Sequence, residues 1–196
     1  MKTVVLKFGG TSVGSVEKIK TVAKIIAEYK RKKYKVLVVS SAMSGVTNEL
    51  IKKSVDISKN FSDTEYDVLV SSGEQVACSL IAGRLIHQGH NARSWLAWQI
   101  PIFTQGLHKN SRIYSINKKK ILKYLKTGGI PIITGFQGIN KFERVSTIGR
   151  GGSDATAILL AKFFKAERCI IYTDVEGVYT TDPNQISKAR KIKEIS

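Results

Sequence analysis

The segment that decides the fold reads TVVLKFGGTS (residues 3–12), in which a short apolar run is followed by a lysine, two glycines and two hydroxyl residues. Three more β-branched runs occur along the chain, at residues 36–39, 130–133 and 170–172. Continuous runs of this kind are typical of parallel strands buried on both faces. Helical patterns lie between them, after Ser15 and over residues 74–87, 117–126 and 153–165. The alternation predicts an α/β fold, a three-layer αβα sandwich with a mostly parallel central sheet.

The composition is that of an ordinary globular chain. Of the 196 residues, 42% are hydrophobic and 24% are charged, which fits one compact domain and excludes extensive disorder. No apolar run approaches the length of a bilayer-spanning helix, and residues 1–6 do not have the organisation of a secretory signal, so we expect a cytoplasmic protein. Cys78 and Cys169 lie far apart in apolar surroundings, and we expect both to be buried, unreactive thiols.

The charge is strongly basic, with 32 Lys and Arg against 15 Asp and Glu, a formal net charge of +17. Such a balance suits nucleic acid, an anionic membrane or an anionic substrate. The lysine clusters lie at predicted helix ends or in the tail, and aromatic residues are not interleaved with them as base stacking would require. We interpret the charge as a solvated, lysine-rich surface and expect neither nucleic acid nor a membrane as a partner.

Small and polar residues follow each predicted strand, at residues 7–12, 40–45, 134–135 and 173–174. In open α/β sheets, ligands bind in the crevice outside the carboxyl ends of the strands. We therefore expect these segments to converge on one edge of the sheet and to form the functional site there.

Lys7, Gly9 and Gly10 are suited to binding phosphate. Glycines let backbone N–H groups approach an anion closely, and the lysine adds a compact positive charge. The segment is not a Walker A loop, in which the lysine follows the glycines. A glycine turn beside a surface lysine is the alternative, and we favour phosphate binding because this lysine ends a buried strand.

A second glycine-rich segment is IGRGGSD (residues 148–154). It lacks the third glycine of the dinucleotide fingerprint, because Asp154 stands at that position. As an anion site, Arg150 would grip a carboxylate through two hydrogen bonds while Ser153 caps the following helix. An ordinary glycine loop explains the same residues equally well.

Three other features of the sequence are less specific. Residues 172–183 (YTDVEGVYTTDP) could hold the ribose and base of a nucleotide, although turns of this composition are common. Glu74 follows Ser-Ser-Gly and is predicted to begin a helix, where the helix dipole alone favours a glutamate. His87 and His90 have no carboxylate or cysteine at ligand spacing, so no zinc site is predicted.

In combination, these segments resemble the aspartate kinases of the amino acid kinase superfamily. The resemblance rests on KFGGTSV (residues 7–13), SSAMSGVTN (40–48) and SGE (72–74), followed in the family's order by residues 135–136, 149–154 and 173–183. It covers nearly the whole chain and implies an amino acid kinase-like fold. It also implies transfer of the γ-phosphoryl group of ATP, with Mg²⁺, to the β-carboxylate of L-aspartate, the first step towards lysine, threonine and methionine.

The resemblance further implies roles for individual residues. Lys7 and Asp154 would be catalytic, with Lys7 neutralising charge on the transferring phosphoryl group. Nucleotide binding is implied for Lys7, Phe8, Gly9, Gly10, Thr173, Asp174 and Tyr179. Aspartate binding is implied for Ser41, Thr47, Glu74, Phe136, Arg150, Gly151, Gly152 and Ser153. Among these, Arg150 would clamp the α-carboxylate and Glu74, with Thr47, would receive the ammonium, while no side chain is implied as a metal ligand.

The sequence departs from the family pattern in two places. Asn184 stands where the family usually has a nucleotide-binding arginine, so we expect weaker ATP binding. The chain stops at Ser196, where the family continues through another nucleotide-binding lysine and two ACT-type regulatory domains. We therefore expect a single amino acid kinase domain over residues 1–196, truncated at its C-terminal end and without ACT domains.

These departures leave several alternatives open. We expect a homo-oligomer, or association with a chain that supplies the missing C-terminal part, and little or no activity without that part. An inactive or partner-dependent kinase fragment is the main alternative to an aspartate kinase. Others are a related kinase acting on glutamate, N-acetylglutamate or a nucleotide monophosphate, and DNA binding driven by the charge of +17.

Overall fold

The structure is a computed structural model that describes residues 1–149, 151–173 and 190. The strands are β1 (Thr3–Phe8), β2 (Lys35–Ser40), β3 (Ala92–Trp95), β4 (Ile102–Gln105), β5 (Arg112–Ile116), β6 (Ile130–Thr134), β7 (Gln137–Ile139), β8 (Val145–Thr147) and β9 (Arg168–Tyr172). The helices are α1 (Val16–Arg31), α2 (Val46–Ile57), α3 (Asp63–His87), α4 (Lys119–Lys126) and α5 (Gly152–Phe163), and a short 3₁₀ helix (Gly10–Val13) follows β1. Across the described ranges, no helix combines the length and apolar character needed to cross a bilayer.

Five strands form a parallel central sheet in the order β3-β6-β2-β1-β9. Every neighbouring pair in this sheet runs parallel. The four apolar runs of the sequence correspond to β1, β2, β6 and β9. They are recognisable because a strand buried on both faces has no polar face to interrupt the run.

Helices cover both faces of the central sheet. On one face α1 and α3 pack against Val4, Leu6 and Phe8 of β1, which are completely buried. On the other face α4 and α5 pack in a second apolar cluster that contains Val5 of β1. The predicted three-layer αβα sandwich with a mostly parallel sheet is confirmed.

Helix α1 begins and packs as its sequence predicts. Ser15 precedes the helix, and its hydroxyl accepts a hydrogen bond from the backbone N–H of Lys18 at 3.3 Å. Such a cap satisfies one of the N–H groups that the first turn leaves without a helical partner. The buried face has helical spacing and consists of Ile19, Val22, Ala23 and Ile26.

A second sheet of short strands has the order β5-β4-β7-β8. The outer pairs are antiparallel, whereas β4 and β7 run parallel. The sequence does not predict this sheet, because strands of three to five residues show too little periodicity to be separated from loops.

Helix α3 is longer than the sequence predicts. It begins at Asp63, so Glu74 lies in the middle of a helix of 25 residues and not at its start. Residues 71–73 resemble a loop in sequence but are helical. Gly73 lets α3 pack closely against the segment after β2. A Cβ atom on Gly73 would lie 2.8 Å from the Cβ of Ala42. The prediction that Glu74 begins a helix is therefore wrong.

Two smaller expectations are also corrected. Ser153 does not cap α5, because the helix begins at Gly152 and the capping position is Gly151, with φ +75°. A left-handed conformation at this position favours glycine over serine. Cys78 is buried as expected, but Cys169 lies on β9, an edge strand of the described sheet, and is only partly buried.

Candidate functional site

A cavity of about 340 Å³ opens at the carboxyl edge of the central sheet. It lies where β1, β2 and β6 end, so the polar segments that follow these strands do converge, as open α/β sheets favour. The residues that line it are Lys7, Gly10, Ser41, Ala42, Met43, Ser44, Gly45, Thr47, Glu74, Phe136, Gly149, Gly151, Gly152, Ser153 and Asp154.

Lys7 supplies a buried positive charge to this cavity. Side chains alternate along β1, which directs Lys7 to the same face as Val5, towards α5. The residue is 6% exposed, and its Nζ lies 2.6 Å from Oδ1 of Asp154 in the first turn of α5. The Asp154 side chain is 45% exposed. A phosphate that reaches Lys7 would therefore share the lysine with a carboxylate that is open to solvent.

Glu74 supplies a buried acidic group to the same cavity. The residue is 3% exposed, and its Oε1 accepts a hydrogen bond of 3.0 Å from the backbone N–H of Ala42. Its Oε2 is buried and has no hydrogen-bond partner within the part of the chain that the structure describes. Burial raises the pKa of Glu74 to about 7, because the charged form loses its hydration. The second oxygen is thus available to a cationic ligand.

Close backbone packing joins the end of β6 to the segment before α5. A Cβ atom on Gly135 would lie 2.8 Å from Oγ of Ser153 and 3.0 Å from Cγ1 of Val39. Phe136 adopts φ +68°, and its carbonyl accepts a hydrogen bond of 2.9 Å from the backbone N–H of Ile148. A non-glycine residue adopts this conformation only where its surroundings impose it. These contacts fix the wall of the cavity that Gly149, Gly151, Gly152, Ser153 and Asp154 line.

Most residues that the resemblance implied lie together in this cavity. The structure brings together Lys7, Gly10, Ser41, Thr47, Glu74, Phe136, Gly151, Gly152, Ser153 and Asp154. Arg150, Asp174, Tyr179 and Asn184 lie outside the described residues.

Three implied nucleotide residues lie elsewhere. Phe8 is completely buried, and its ring stacks on Tyr172 with centroids 4.7 Å apart. Phe8 and Thr173 line a second cavity, of about 330 Å³, beside α1. The backbone N–H of Gly9 donates a hydrogen bond of 3.0 Å to the carbonyl of Tyr172. This N–H group, which the sequence interpretation assigned to phosphate, is therefore already bonded. The structure thus places Gly10, rather than Gly9, against the main cavity.

Several lining residues are absent from the residues that the resemblance implied. Ala42, Met43, Ser44 and Gly45 contribute to the cavity, and the N–H of Ala42 bonds to Glu74. Gly45 has φ +84° and directly precedes α2. The sequence did contain a signal for these residues, because a Ser-Gly pair after a buried strand indicates a turn at the edge of the sheet where ligands bind.

Within the described ranges, no group of three or more His, Cys, Asp or Glu side chains could hold a metal ion. Among the described residues that line the cavity, the carboxylates are Glu74 and Asp154, and Asp154 is paired with Lys7.

The chain belongs to the amino acid kinase family, whose sequence model matches residues 2–196. It is 50% identical over 198 residues to the aspartokinase of Rickettsia conorii, covering 100% of this chain and 49% of that protein. It is 48% identical to the aspartokinase of Geobacillus stearothermophilus, covering 100% and 48%.

A solved structure has the same fold. E. coli aspartokinase III in complex with aspartate and ADP matches with a TM-score of 0.83 and 28% sequence identity, covering 97% of this chain and 53% of that chain. The chain spans about half the length of the relatives it matches.

Proposed function

We propose that this chain is the catalytic region of an aspartate kinase, which transfers the γ-phosphoryl group of ATP to the β-carboxylate of L-aspartate. Relatives at about 50% identity over the whole chain support the proposal. The observation that carries it is one cavity lined by a buried lysine and by a buried glutamate with an unbonded oxygen. Lys7 suits an anionic phosphoryl donor, and Glu74 suits the ammonium of an amino acid.

The acceptor side of the cavity is proposed to recognise a zwitterion. Oε2 of Glu74 would accept a hydrogen bond from the ammonium of L-aspartate, with Ser41 and Thr47 beside it. Burial raises the pKa of Glu74 to about 7, and the ammonium would oppose this effect by stabilising the charged form of the carboxylate. Arg150 would clamp the α-carboxylate through two hydrogen bonds, and Ser153 would help to orient the substrate. Phe136, Gly151 and Gly152 form the wall against which the substrate lies.

The donor side is proposed to act by shielding negative charge. The β-carboxylate of aspartate is already ionised, so the reaction needs positioning and positive charge more than a strong base. Lys7 would neutralise charge that develops on the phosphoryl oxygens, and Asp154 would hold the lysine in place through the 2.6 Å ion pair. The backbone at Gly9 and Gly10 would allow the phosphates to come close, while Phe8, Thr173, Asp174 and Tyr179 would contribute to nucleotide binding.

Mg²⁺ is proposed to enter the site with the phosphates of ATP. Magnesium typically combines one or two carboxylates with phosphate oxygens and water, so a cavity without a carboxylate cluster in its described part fits an ion carried by the nucleotide. The bound ion would supply further neutralisation of phosphate charge. Asp154 is the carboxylate beside Lys7 that could face it.

A second candidate is a partner-dependent subunit of the same kinase. It is favoured by the edge position of β9 in the described sheet and by relatives about twice as long as this chain. An edge strand can pair with further strands of another chain. On this view residues 1–196 are a single amino acid kinase domain that gains full activity when a second chain supplies further strands and nucleotide contacts.

The deciding experiment combines calorimetry with a coupled assay of ADP release. The chain is supplied with Mg-ATP and, separately, with L-aspartate, L-glutamate, N-acetylglutamate or a nucleotide monophosphate. ADP release that depends on aspartate supports the proposal, and phosphorylation of glutamate but not aspartate overturns it. Aspartate binding without turnover, restored by co-expression with the C-terminal half of the Rickettsia conorii relative, supports the partner-dependent form.

A further inference from the structure

Helix α3 carries a second buried carboxylate that the proposed chemistry does not use. Asp67 is completely buried, two helical turns before Glu74. Its Oδ1 accepts a hydrogen bond of 2.6 Å from the hydroxyl of Thr147, and its Oδ2 lies 2.6 Å from Nδ1 of His108. The backbone N–H of Lys109 lies 3.1 Å from Oδ1 and 3.2 Å from Oδ2. A carboxylate buried in this way is costly unless it is bonded, and here both oxygens are.

The partners of Asp67 come from two segments of the second sheet. His108 and Lys109 belong to the β4–β5 loop (residues 106–111), and Thr147 ends β8. The other ring nitrogen of His108, Nε2, lies 3.4 Å from Nδ2 of Asn140. The carboxylate of Asp67 beside Nδ1 and the amide of Asn140 beside Nε2 give both ring nitrogens a polar partner, and Nδ1–H is the group that can donate to Asp67. Asp67 therefore binds both the side chain and the backbone of the loop.

The β4–β5 loop lies directly beneath Gly149. A Cβ atom on Gly149 would lie 3.0 Å from the carbonyl oxygen of Lys109 and 3.4 Å from Oδ1 of Asn110. The backbone N–H of Ser111 also donates to the carbonyl of Thr147 at 2.9 Å. Since Gly149 has φ +83° and no side chain, its backbone can rest on the loop. A shift of the loop would consequently move Gly149.

Gly149 is also part of the wall of the main cavity. It lines that cavity with Gly151, Gly152 and Ser153, and the N–H of Gly152 donates to its carbonyl at 3.0 Å. The hydrogen bonds of Asp67, the close approach of the β4–β5 loop to Gly149 and the bond from Gly152 to Gly149 thus connect Asp67 to the acceptor side of the cavity. Residues 7–10 on the donor side are held mainly by β1 and by the bond from Gly9 to Tyr172, and the ion pair between Lys7 and Asp154 is their link to the wall that contains Gly149.

We propose that Asp67 and His108 are positioning residues that fix the β4–β5 loop under Gly149 and thereby set the affinity of the cavity for its amino acid acceptor. This assignment rests on the proposed function for the identity of the acceptor. It goes beyond that function by making the acceptor affinity depend on two residues that do not line the cavity. Because the donor side is held mainly by β1 and by the bond from Gly9 to Tyr172, the affinity for ATP should depend on the pair less than the affinity for the acceptor does.

The kinetic test removes the hydrogen-bond donor of the His108 side chain. His108→Phe keeps a ring and removes the Nδ1–H group, and His108→Ala removes the whole side chain. Both should raise the KM for aspartate about tenfold or more, because small displacements in a binding site carry large penalties, while the KM for ATP changes much less. Both should also lower the melting temperature, because the buried carboxylate of Asp67 loses one of its hydrogen-bond partners. His108→Asn, whose amide N–H can replace Nδ1–H, should restore much of the affinity. His87→Ala, on the exposed end of α3, is the matched control and should change neither KM.

A second readout is independent of activity. Hydrogen exchange at the amide of Gly152 should become about tenfold faster or more in His108→Phe and in Asp67→Asn, because the bond to Gly149 loses its support. The amide of Ser12, which bonds to the carbonyl of Gly9 at 2.9 Å, serves as the internal reference and should not change. Unchanged exchange at Gly152 overturns the positioning role, as does an equal rise in both KM values. If the wild type neither binds nor phosphorylates aspartate, the proposed function fails, and the exchange measurement still decides the positioning role.

Discussion

Nζ of Lys7 and Oδ1 of Asp154 are 2.6 Å apart, which joins the end of β1 to the first turn of α5 across the cavity. The lysine is buried and the aspartate is half exposed, although the Oδ1 atom that faces the lysine is itself buried. Substitution of a residue of this ion pair therefore tests the role of the donor side of the site.

Replacing Lys7 should abolish phosphoryl transfer without unfolding the chain. Lys7→Ala removes the positive charge at the donor side, and loss of one such electrostatic contact typically costs about 10²–10³ in rate. The measurement is aspartate-dependent ADP release, with the melting temperature as a check on folding. Lys24→Ala, on the exposed face of α1, is the control and should behave as wild type. Equal rates for Lys7→Ala and wild type would remove Lys7 from the mechanism.

Glu74 should make the stability of the ligand-free protein depend on pH. Burial raises its pKa from an ordinary value of 4.5 to about 7. Between these two values the folded chain keeps a proton that the unfolded chain has lost. The free energy of unfolding should therefore fall as the pH rises from 4.5 to 7, by up to about 3 kcal/mol, and should stay level above this range.

The matched variant for this prediction is Glu74→Gln, which keeps the shape of the side chain and cannot ionise. Urea unfolding at several pH values should give a flatter curve for the variant than for wild type. The variant should be the more stable of the two at pH 8 and no more stable at pH 4. Parallel curves for the two proteins would contradict an ionisable, buried Glu74.

Two glycines in α3 should respond oppositely to the same substitution. Gly83→Ala places a methyl group in open space on the exposed face of the helix, so we expect a gain of up to about 1 kcal/mol from helix propensity. Gly73→Ala brings its methyl group within 2.8 Å of the Cβ of Ala42, and we expect a loss of about 1–3 kcal/mol. Thermal or urea unfolding of the two variants measures the difference. Stabilisation by both substitutions would show that α3 does not pack closely on Ala42.

The stacked rings of Phe8 and Tyr172 should stabilise β9 against β1. The centroids are 4.7 Å apart with an interplanar angle of 12°. Tyr172→Ala should cost about 2 kcal/mol, less than truncation of a fully buried aromatic residue, because Tyr172 is only partly buried. Tyr172→Phe keeps the ring and should lose much less. Equal losses in the two variants would assign the effect to the hydroxyl group instead of the ring.

The two cysteines should differ in reactivity. Burial raises the pKa of both thiols, but Cys78 is completely buried whereas Cys169 is only partly buried. The thiolate is the reactive form, so neither should react rapidly, and Cys169 should be the first to be modified by an aromatic disulfide reagent in the folded protein. Cys169→Ser should remove that phase. Retention of the phase in this variant would place the accessible thiol at Cys78.

The parts of the fold that could be predicted are those whose pattern is local. Four of the five parallel strands are continuous apolar runs, and α1 has both a capping serine and an amphipathic face. The beginning of α3 could not be predicted in the same way, because Ser-Ser-Gly at residues 71–73 resembles a loop. What allows Gly73 to be helical is its contact with Ala42, a neighbour in space that the local pattern does not contain.

The same distinction holds for the candidate site. Lys7 and the glycine segments could be selected because they follow strands that must meet at one edge. Asp67 could not be selected, since its partners His108 and Thr147 are 41 and 80 residues away along the chain. A carboxylate in a helical sequence is ordinarily exposed, and only the folded structure shows that this one is buried.

Helix α3 has a consequence for any movement that accompanies turnover. Asp67 bonds to the second sheet and Glu74 lies at the main cavity, and the two residues are separated by two turns of an uninterrupted helix. The spacing between them cannot change unless helical hydrogen bonds break. Opening of the cavity then comes either from rotation of α3 together with the small sheet as one rigid unit, or from the other walls, the segments after β2 and before α5, moving against a stationary helix.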